Sequence, residues 1–394
     1  MWRGQLCHLL IVTFITVLIF PKISFINSSS FALDYYYHGY LKWSDSPVAK
    51  GMGGCEINLT DRYASLTNPA ALGIFHLNKR ISVSFPNNYE LGSEDSTDLE
   101  LKSQSVSIGY PITIGSFTFG FGIGYSRKNS RSYKARLPYI NPPITQRHTY
   151  TEEAECYSVG ISIVQNARLA LGYTLKQVDS WYNIPFTHVE KYNEDYYKVH
   201  DIGFYFDFPL SESENLKHIL QKIDTGDIKH DIVPSLAFVR SNIGSKLLYP
   251  YQSFDNRILA EVDKIGLSLL FISRYKDAEM FSLRISHEFK TTHAVRGFDY
   301  GRTGFEIGAG GTLYIRAGFW STDAFEGDIW TYGVGFNLGG LANILYAAGK
   351  IDTVNPLARF VLRNINISAD FAMERSDDRS EYDNEEYFKI SLSL

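Results

Sequence analysis

In residues 117–125, FTFGFGIGY, every odd position is large and apolar: Phe117, Phe119, Phe121, Ile123 and Tyr125. The even positions are Thr118, Gly120, Gly122 and Gly124. A period of two is the strand period, because successive side chains point to opposite faces of a sheet. Antiparallel sheets of water-soluble proteins set apolar residues against polar or charged ones. Here the second face is merely small, which suits either close backbone approach or the inner wall of a membrane barrel.

The alternation recurs at Tyr157–Ile163, Leu169–Leu175, Ile202–Phe208 and Phe281–Ile285, and again in the last residues, FKISLSL. Where these strands carry charge, it falls on the second face: Arg168, Asp201, Asp207, Arg284 and Lys389. That face must be wet or internally paired, and the first must be covered by something apolar. Candidate strands lie near 80–88, 98–110, 115–127, 150–165, 167–181, 196–209, 231–243, 262–273, 279–291, 302–309, 312–320, 329–338, 365–375 and 386–394. Many have the roughly 9–11 residues that a tilted strand needs to cross a bilayer. Short joins, such as Pro111–Ile114, alternate with long polar ones at 128–149, 183–195 and 376–385, as periplasmic turns alternate with external loops. The stretch 211–226 reads as a small surface helix, with Ser213 as its cap and Leu216, Ile219, Leu220 and Ile223 as an apolar stripe. The fold expected is all-β: a transmembrane antiparallel β-barrel of about fourteen strands, closed so that no edge remains. A secreted β-sandwich is the alternative.

Composition strengthens the barrel. Aromatic residues make up 15% of the 394, with 27 Tyr and 26 Phe, which suits a large interfacial surface. The formal net charge of -5, without a strongly basic run, gives nothing for nucleic acid to bind. The N-terminus carries Arg3 and then the apolar run LCHLLIVTFITVLIF, with small residues before position 33; residues 1–32 read as a cleaved signal peptide, an uncleaved anchor being the alternative. Export leaves Cys55 and Cys156, and their spacing does not say whether they pair. Alternation turns Cys156 inward. No CxxC, HExxH or other metal spacing occurs, and no cofactor is expected.

Residues 47–73, PVAKGMGGCEINLTDRYASLTNPAALG, do not alternate. Gly51, Gly53 and Gly54 relax the backbone, and Asn68-Pro69 signals a turn or helix start. No Lys-Ser or Lys-Thr follows the glycines, so this is not a phosphate loop. A small-residue segment ahead of the first barrel strand has a natural place in the lumen.

The GMGG run and DRYASLTNPAALG resemble the N-terminal signature of the FadL/PorV-like outer-membrane proteins. A weaker likeness covers 313–338, LYIRAGFWSTDAFEGDIWTYGVGFNL. The resemblance implies a bacterial outer-membrane barrel at 79–394, with residues 33–78 as a hatch, or plug. It also implies a ligand path shaped by Gly51, Met52, Gly53, Gly54, Asn68, Pro69, Ala70 and Ala71. FadL-type members pass fatty acids or other hydrophobic molecules; PorV-type members serve type IX secretion as carriers of exported proteins. The expected partners are therefore outer-membrane lipid, a hydrophobic small molecule, or a secreted or surface protein. Cys55 and Glu56 stand where the family has small residues, and Asn58, Thr60 and Arg62 make the next stretch more polar.

No nucleophile elbow is present, and His148, His188, His200, His287 and His293 are scattered. His287 falls on the apolar side of its strand, where an interfacial ring is the ordinary reading. The chain is expected to be a non-enzyme. Two functions remain, a hydrophobic-molecule conduit and a PorV-like secretion component, with a purely structural barrel behind them. An apolar cavity beside residues 47–73 would favour the first, and a tightly filled lumen the second.

Overall fold

The computed structural model describes residues 46–394 except 79–80, 92–96, 135–147, 184–191, 214–216, 218–219, 222, 225, 245–260, 293–299, 323–328, 351–354, 357–364 and 377–384. The expected signal peptide and most of the long loops lie outside the described residues.

Fourteen antiparallel strands close into one barrel, each paired with its neighbours in sequence and β1 with β14. They are β1 Ile81–Leu91, β2 Thr97–Ile114, β3 Phe117–Lys134, β4 His148–Val164, β5 Arg168–Asn183, β6 Tyr192–Asp207 and β7 Ile228–Ile243. The second half comprises β8 Val262–Tyr275, β9 Ala278–Thr292, β10 Tyr300–Ala309, β11 Leu313–Thr322, β12 Ile329–Asn337, β13 Asn366–Ser376 and β14 Glu385–Ser393.

The odd face of FTFGFGIGY points out: Phe121 and Ile123 are exposed, while Gly120 and Gly122 are buried. The neighbouring strands extend the apolar belt with Ile108, Tyr110 and Ile112 on one side and Val159 and Ile161 on the other. From Phe117 the belt reaches Tyr125, about nine residues, enough for a tilted strand to cross hydrocarbon. At its upper limit the Tyr125 and Tyr157 hydroxyls donate to Glu155 at 3.2 and 2.9 Å, and Arg127 pairs with Glu153 just beyond. Rings with polar tips followed by charge mark a membrane interface. The molecule is a transmembrane β-barrel.

Two expectations need correction. The polar residues 128–134 and 192–195 continue β3 and β6 rather than form loops. Above the bilayer the ladder of main-chain bonds sustains a strand that hydropathy no longer marks. Nor are all connections at the turn end short. Gly115-Ser116 and Lys276-Asp277 are tight, the latter with both φ positive as a primed hairpin turn requires. Residues 208–227 and 338–365, at the same end, are long. The first is helical at 217, 220 and 221, with Leu220 buried. The second holds a helix, Leu338–Ala347, capped by Asn337 and packed against β9 and β13.

Phe121→Arg is expected to lower barrel stability by about 2–4 kcal/mol, the cost of a cation near mid-bilayer. Heat-modified electrophoretic mobility of the refolded variant would measure it; a midpoint equal to that of the parent would refute the lipid-facing assignment.

Candidate functional site

Residues 46–78 lie inside the barrel. Helix α1 (Pro47–Gly51) starts at Ser46, whose side chain accepts from the Ala49 amide; Pro47 sits at the first helical position, where its missing N–H costs nothing. Helix α2 is Ala64–Thr67. Helix α3 (Pro69–Phe75) is capped by Asn68, whose Oδ1 accepts from Ala70 N at 3.0 Å. The Asn68 amide also donates to the Ile57 and Phe204 carbonyls, at 2.9 and 3.3 Å, so one side chain joins the cap, the preceding turn and the wall.

The segment visits the wall strand by strand. Gly51 lies on Gly333 of β12, and Met52 on Gly304 and Gly318 of β10 and β11. Gly53 donates to Thr331 at 2.7 Å. It has φ +68°, and a Cβ there would meet the Thr303 carbonyl at 2.7 Å, so only glycine fits. The Gly54 carbonyl accepts from Arg302 at 2.8 Å. The amides of Glu56 and Ile57 donate to Glu288 on β9, at 2.8 and 3.2 Å. Asn58 reaches Ser235 on β7. The chain then crosses to β13 at Arg62, and α3 runs back over β6, β5, β4 and β3. Ala70 and Ala71 are fully buried on this path.

Under α3 the wall carries a glycine on each of five successive strands in one register: Gly109, Gly122, Gly160, Gly172 and Gly203. A Cβ on Gly122 would stand 2.7 Å from the His76 ring, and one on Gly172 would overlap the Pro69–Ala70 backbone. The small face of FTFGFGIGY is thus the bed of an internal helix.

Buried charges pin the rest. Asp370 on β13 accepts from Arg62, from Arg316 at 3.0 Å and from the Tyr63 hydroxyl at 3.3 Å. Arg316 also donates to Glu306 at 2.7 Å, and Arg284 lies 3.9 Å from Glu306. Lys50 pairs with Glu374 at 3.1 Å, and Lys264 pairs with Glu56. The Lys389 ammonium stands over the Tyr63 ring and donates to Ser103 at 2.8 Å. Burial pushes the Tyr63 hydroxyl well above its ordinary range. Burial, with Glu288 adding to it, pushes the Cys55 thiol up as well.

Cys55 and Cys156 are both free and buried. Cys55 donates weakly to the Ser286 carbonyl at 3.7 Å, whereas Cys156 faces inward from β4. A pocket of about 10 Å³, room for one water, opens between Ser65, Thr67, Lys128, Cys156, Lys176 and Asp201. Pro69 and Thr174 complete a lining of mixed polar and apolar character. His287 sits at an outward register position but is buried, bonded to Thr303 at 2.8 Å and edge-on to Phe289. Among the described residues no group of three or more His, Cys, Asp or Glu is placed to hold a metal.

The eight residues singled out in the sequence all touch the wall or each other, and Pro69 also lines the small pocket. Arg62, Glu288, Glu306, Arg316 and Asp370 were not singled out as site residues. The signal was present in Arg62 as a polar departure and in charge on the inner face of strands.

No family model and no curated protein matches the chain. Among solved structures it is similar to the Pseudomonas putida toluene transporter TodX, at 10% identity and TM-score 0.39, covering 89% of this chain and 97% of that one. A Pseudomonas aeruginosa FadL homologue matches at 13% and 0.37, over 88% of this chain and 96% of that one. The β domain of the Bordetella autotransporter BrkA matches at 9% and 0.38, over 80% and 98%.

Asp370→Ala strips both Arg62 and Arg316 of their shared carboxylate; removing one partner of a buried pair costs about 3–5 kcal/mol, so a clear drop in the urea midpoint is expected. An unchanged midpoint would show that the network is not stabilising. Gly304→Val should displace Met52 and open Cys55 to maleimide in the folded barrel, while the parent thiol stays unlabelled. A variant as inert as the parent would contradict the packing described.

Proposed function

We propose that this is an outer-membrane protein of FadL/PorV type in which residues 33–78 form a fixed hatch in the barrel of residues 79–394, after removal of a signal peptide at 1–32. One observation carries the reading. Residues 46–78 are seated on a glycine bed and tied to the wall by buried ion pairs, and the pocket between Ser65, Pro69 and the wall has room for about one water. A conduit for fatty-acid-like molecules needs an apolar hollow able to bury most of its ligand, several hundred cubic ångströms in ordinary binding sites. An inner segment fixed in this way suits a barrel that works by what it holds at its outer end. The PorV-type role, carrying or anchoring an exported protein at the bacterial surface, is therefore preferred to the hydrophobic conduit. On this reading Gly51, Met52, Gly53, Gly54, Asn68, Pro69, Ala70 and Ala71 are packing residues of the hatch rather than a ligand path.

Native mass spectrometry of the detergent-purified, folded barrel, with lipid extraction in parallel, separates the two. A barrel free of bound lipid that retains a surface protein through purification is the expected result. A stoichiometric fatty acid or other apolar molecule released on unfolding would restore the conduit and refute the fixed hatch.

A further inference from the structure

Beyond the glycine row, toward the outer end, the inner wall changes from small to charged. Lys128 on β3, Cys156 on β4, Thr174 and Lys176 on β5 and Asp201 on β6 all stand at inward register positions past Gly122, Gly160, Gly172 and Gly203. Cys156 is in register with Lys176, and Thr174 with Asp201. Opposite them lies α2, whose Ser65 closes the space of about 10 Å³ that these side chains line. Ser65, Lys128, Cys156, Thr174 and Asp201 are all buried.

The carboxylate in this lining is already matched. Asp201 accepts from the Lys176 ammonium at 2.7 Å and from the Asn242 amide at 2.9 Å, and Lys176 gives another N–H to the Asn242 side chain at 3.0 Å. The Ser158 hydroxyl donates to the Ser65 carbonyl at 3.3 Å and so takes its 2.8 Å bond with Thr174 as acceptor. The Ser65 hydroxyl is different: it is buried, and among the described residues it has no hydrogen-bond partner. Buried hydroxyls in folded proteins are bonded to the chain or to something the chain holds. What faces this one is a set of donors, the ammonium groups of Lys128 and Lys176 and the Cys156 thiol. Water gives as many hydrogen bonds as it takes, whereas an anion takes them only, and a donor-rich lining favours the anion. Room for one water-sized particle excludes an oxyanion such as sulfate and the chain of a fatty acid.

We propose that this space is a site for one monatomic anion, a halide such as chloride. The ion joins Ser65 of the inner segment to Lys128 and Lys176 of the wall, and its binding tightens the seat of α2. The Cys156–Lys176 pair lies one residue beyond the Tyr157–Leu175 pair, at the outer limit of the lipid belt, so the ion arrives from the aqueous outer end and not through hydrocarbon. The inference concerns how the inner segment is held, and it stands whether the barrel carries a protein or passes a ligand.

Urea unfolding of the full chain in detergent micelles tests it, at constant ionic strength with gluconate exchanged stepwise for bromide. The unfolding equilibrium constant should fall saturably, about tenfold once bromide exceeds its Kd tenfold, because only the folded barrel holds the site. That dependence should vanish in Lys128→Met, whatever the variant does to the midpoint itself, and persist in Lys229→Met, an exposed lysine at the turn end of β7. Ser65→Ala removes one hydroxyl and little else, and keeps the test open if Lys128→Met does not assemble; its response to bromide should be clearly weaker than that of the parent. Crystals grown in bromide should show an anomalous peak between Ser65 and Lys128. A midpoint indifferent to bromide, an equal response in the parent and in both site variants, or a water in the space would overturn the proposal. A bromide peak without the change in stability would be binding at crystal concentration only, and would overturn it too.

Discussion

Hydrocarbon offers a backbone amide no partner, so a chain that crosses it with strands must bring its last strand back to its first. The rest of this molecule follows from that closure. Fourteen strands in a ring expose one face of every residue pair to lipid and turn the other to the lumen. The belt of Phe121, Ile123, Ile161 and Leu171 is therefore an outer surface that would be untenable in water. Its upper limit is set where Tyr125, Tyr157 and Glu155 can reach water.

The same alternation decides what the inside can hold. A wall lined by serine and glycine is too smooth to pack on itself, and a ring this wide leaves space that the chain fills with its own residues 46–78. Close approach governs one half of that filling. The five-glycine register under α3 lets helix backbone rest on sheet backbone, and any side chain there would lift it. Charge governs the other half. Ion pairs such as Arg62–Asp370 and Lys50–Glu374 recover in hydrogen bonds what they lose in hydration, but well-packed apolar residues could stabilise as much. What paired charges add is a unique seat, because a slipped segment would take Arg62 from Asp370 and Lys50 from Glu374.

The architecture was legible because it rests on period. A two-residue repeat needs only local sequence, so all fourteen strands could be found, and the inward turn of Arg168, Asp207 and Lys389 with them. Strand ends were less legible: above the bilayer, β3 beyond Tyr125 keeps its ladder but loses the apolar face that announced it. The internal segment was visible as a break in the alternation, and Asn68-Pro69 as a helix start. Its contacts were not. Asp370 lies more than 300 residues from Arg62, and no local signal chooses Asp370 over other inward carboxylates. The glycine register was hidden for a like reason, since each glycine is ordinary in its own strand and becomes a feature only when five strands are aligned.

The polar residues of the internal segment acquire a meaning in this light. Glu56, Asn58 and Arg62 are each a tie to the wall: Glu56 to Lys264, Asn58 to Ser235, Arg62 to Asp370. A segment meant to slide aside would gain from weak, interchangeable contacts, since a population shift needs states only a few kcal/mol apart. Ties to three different strands, two of them charged and one to a serine hydroxyl, separate the seated state from any displaced one by the loss of several such bonds at once. Glu56, Asn58 and Arg62 are thus the residues that hold this segment in one place in the lumen, by bonds that a displaced segment would have to break together.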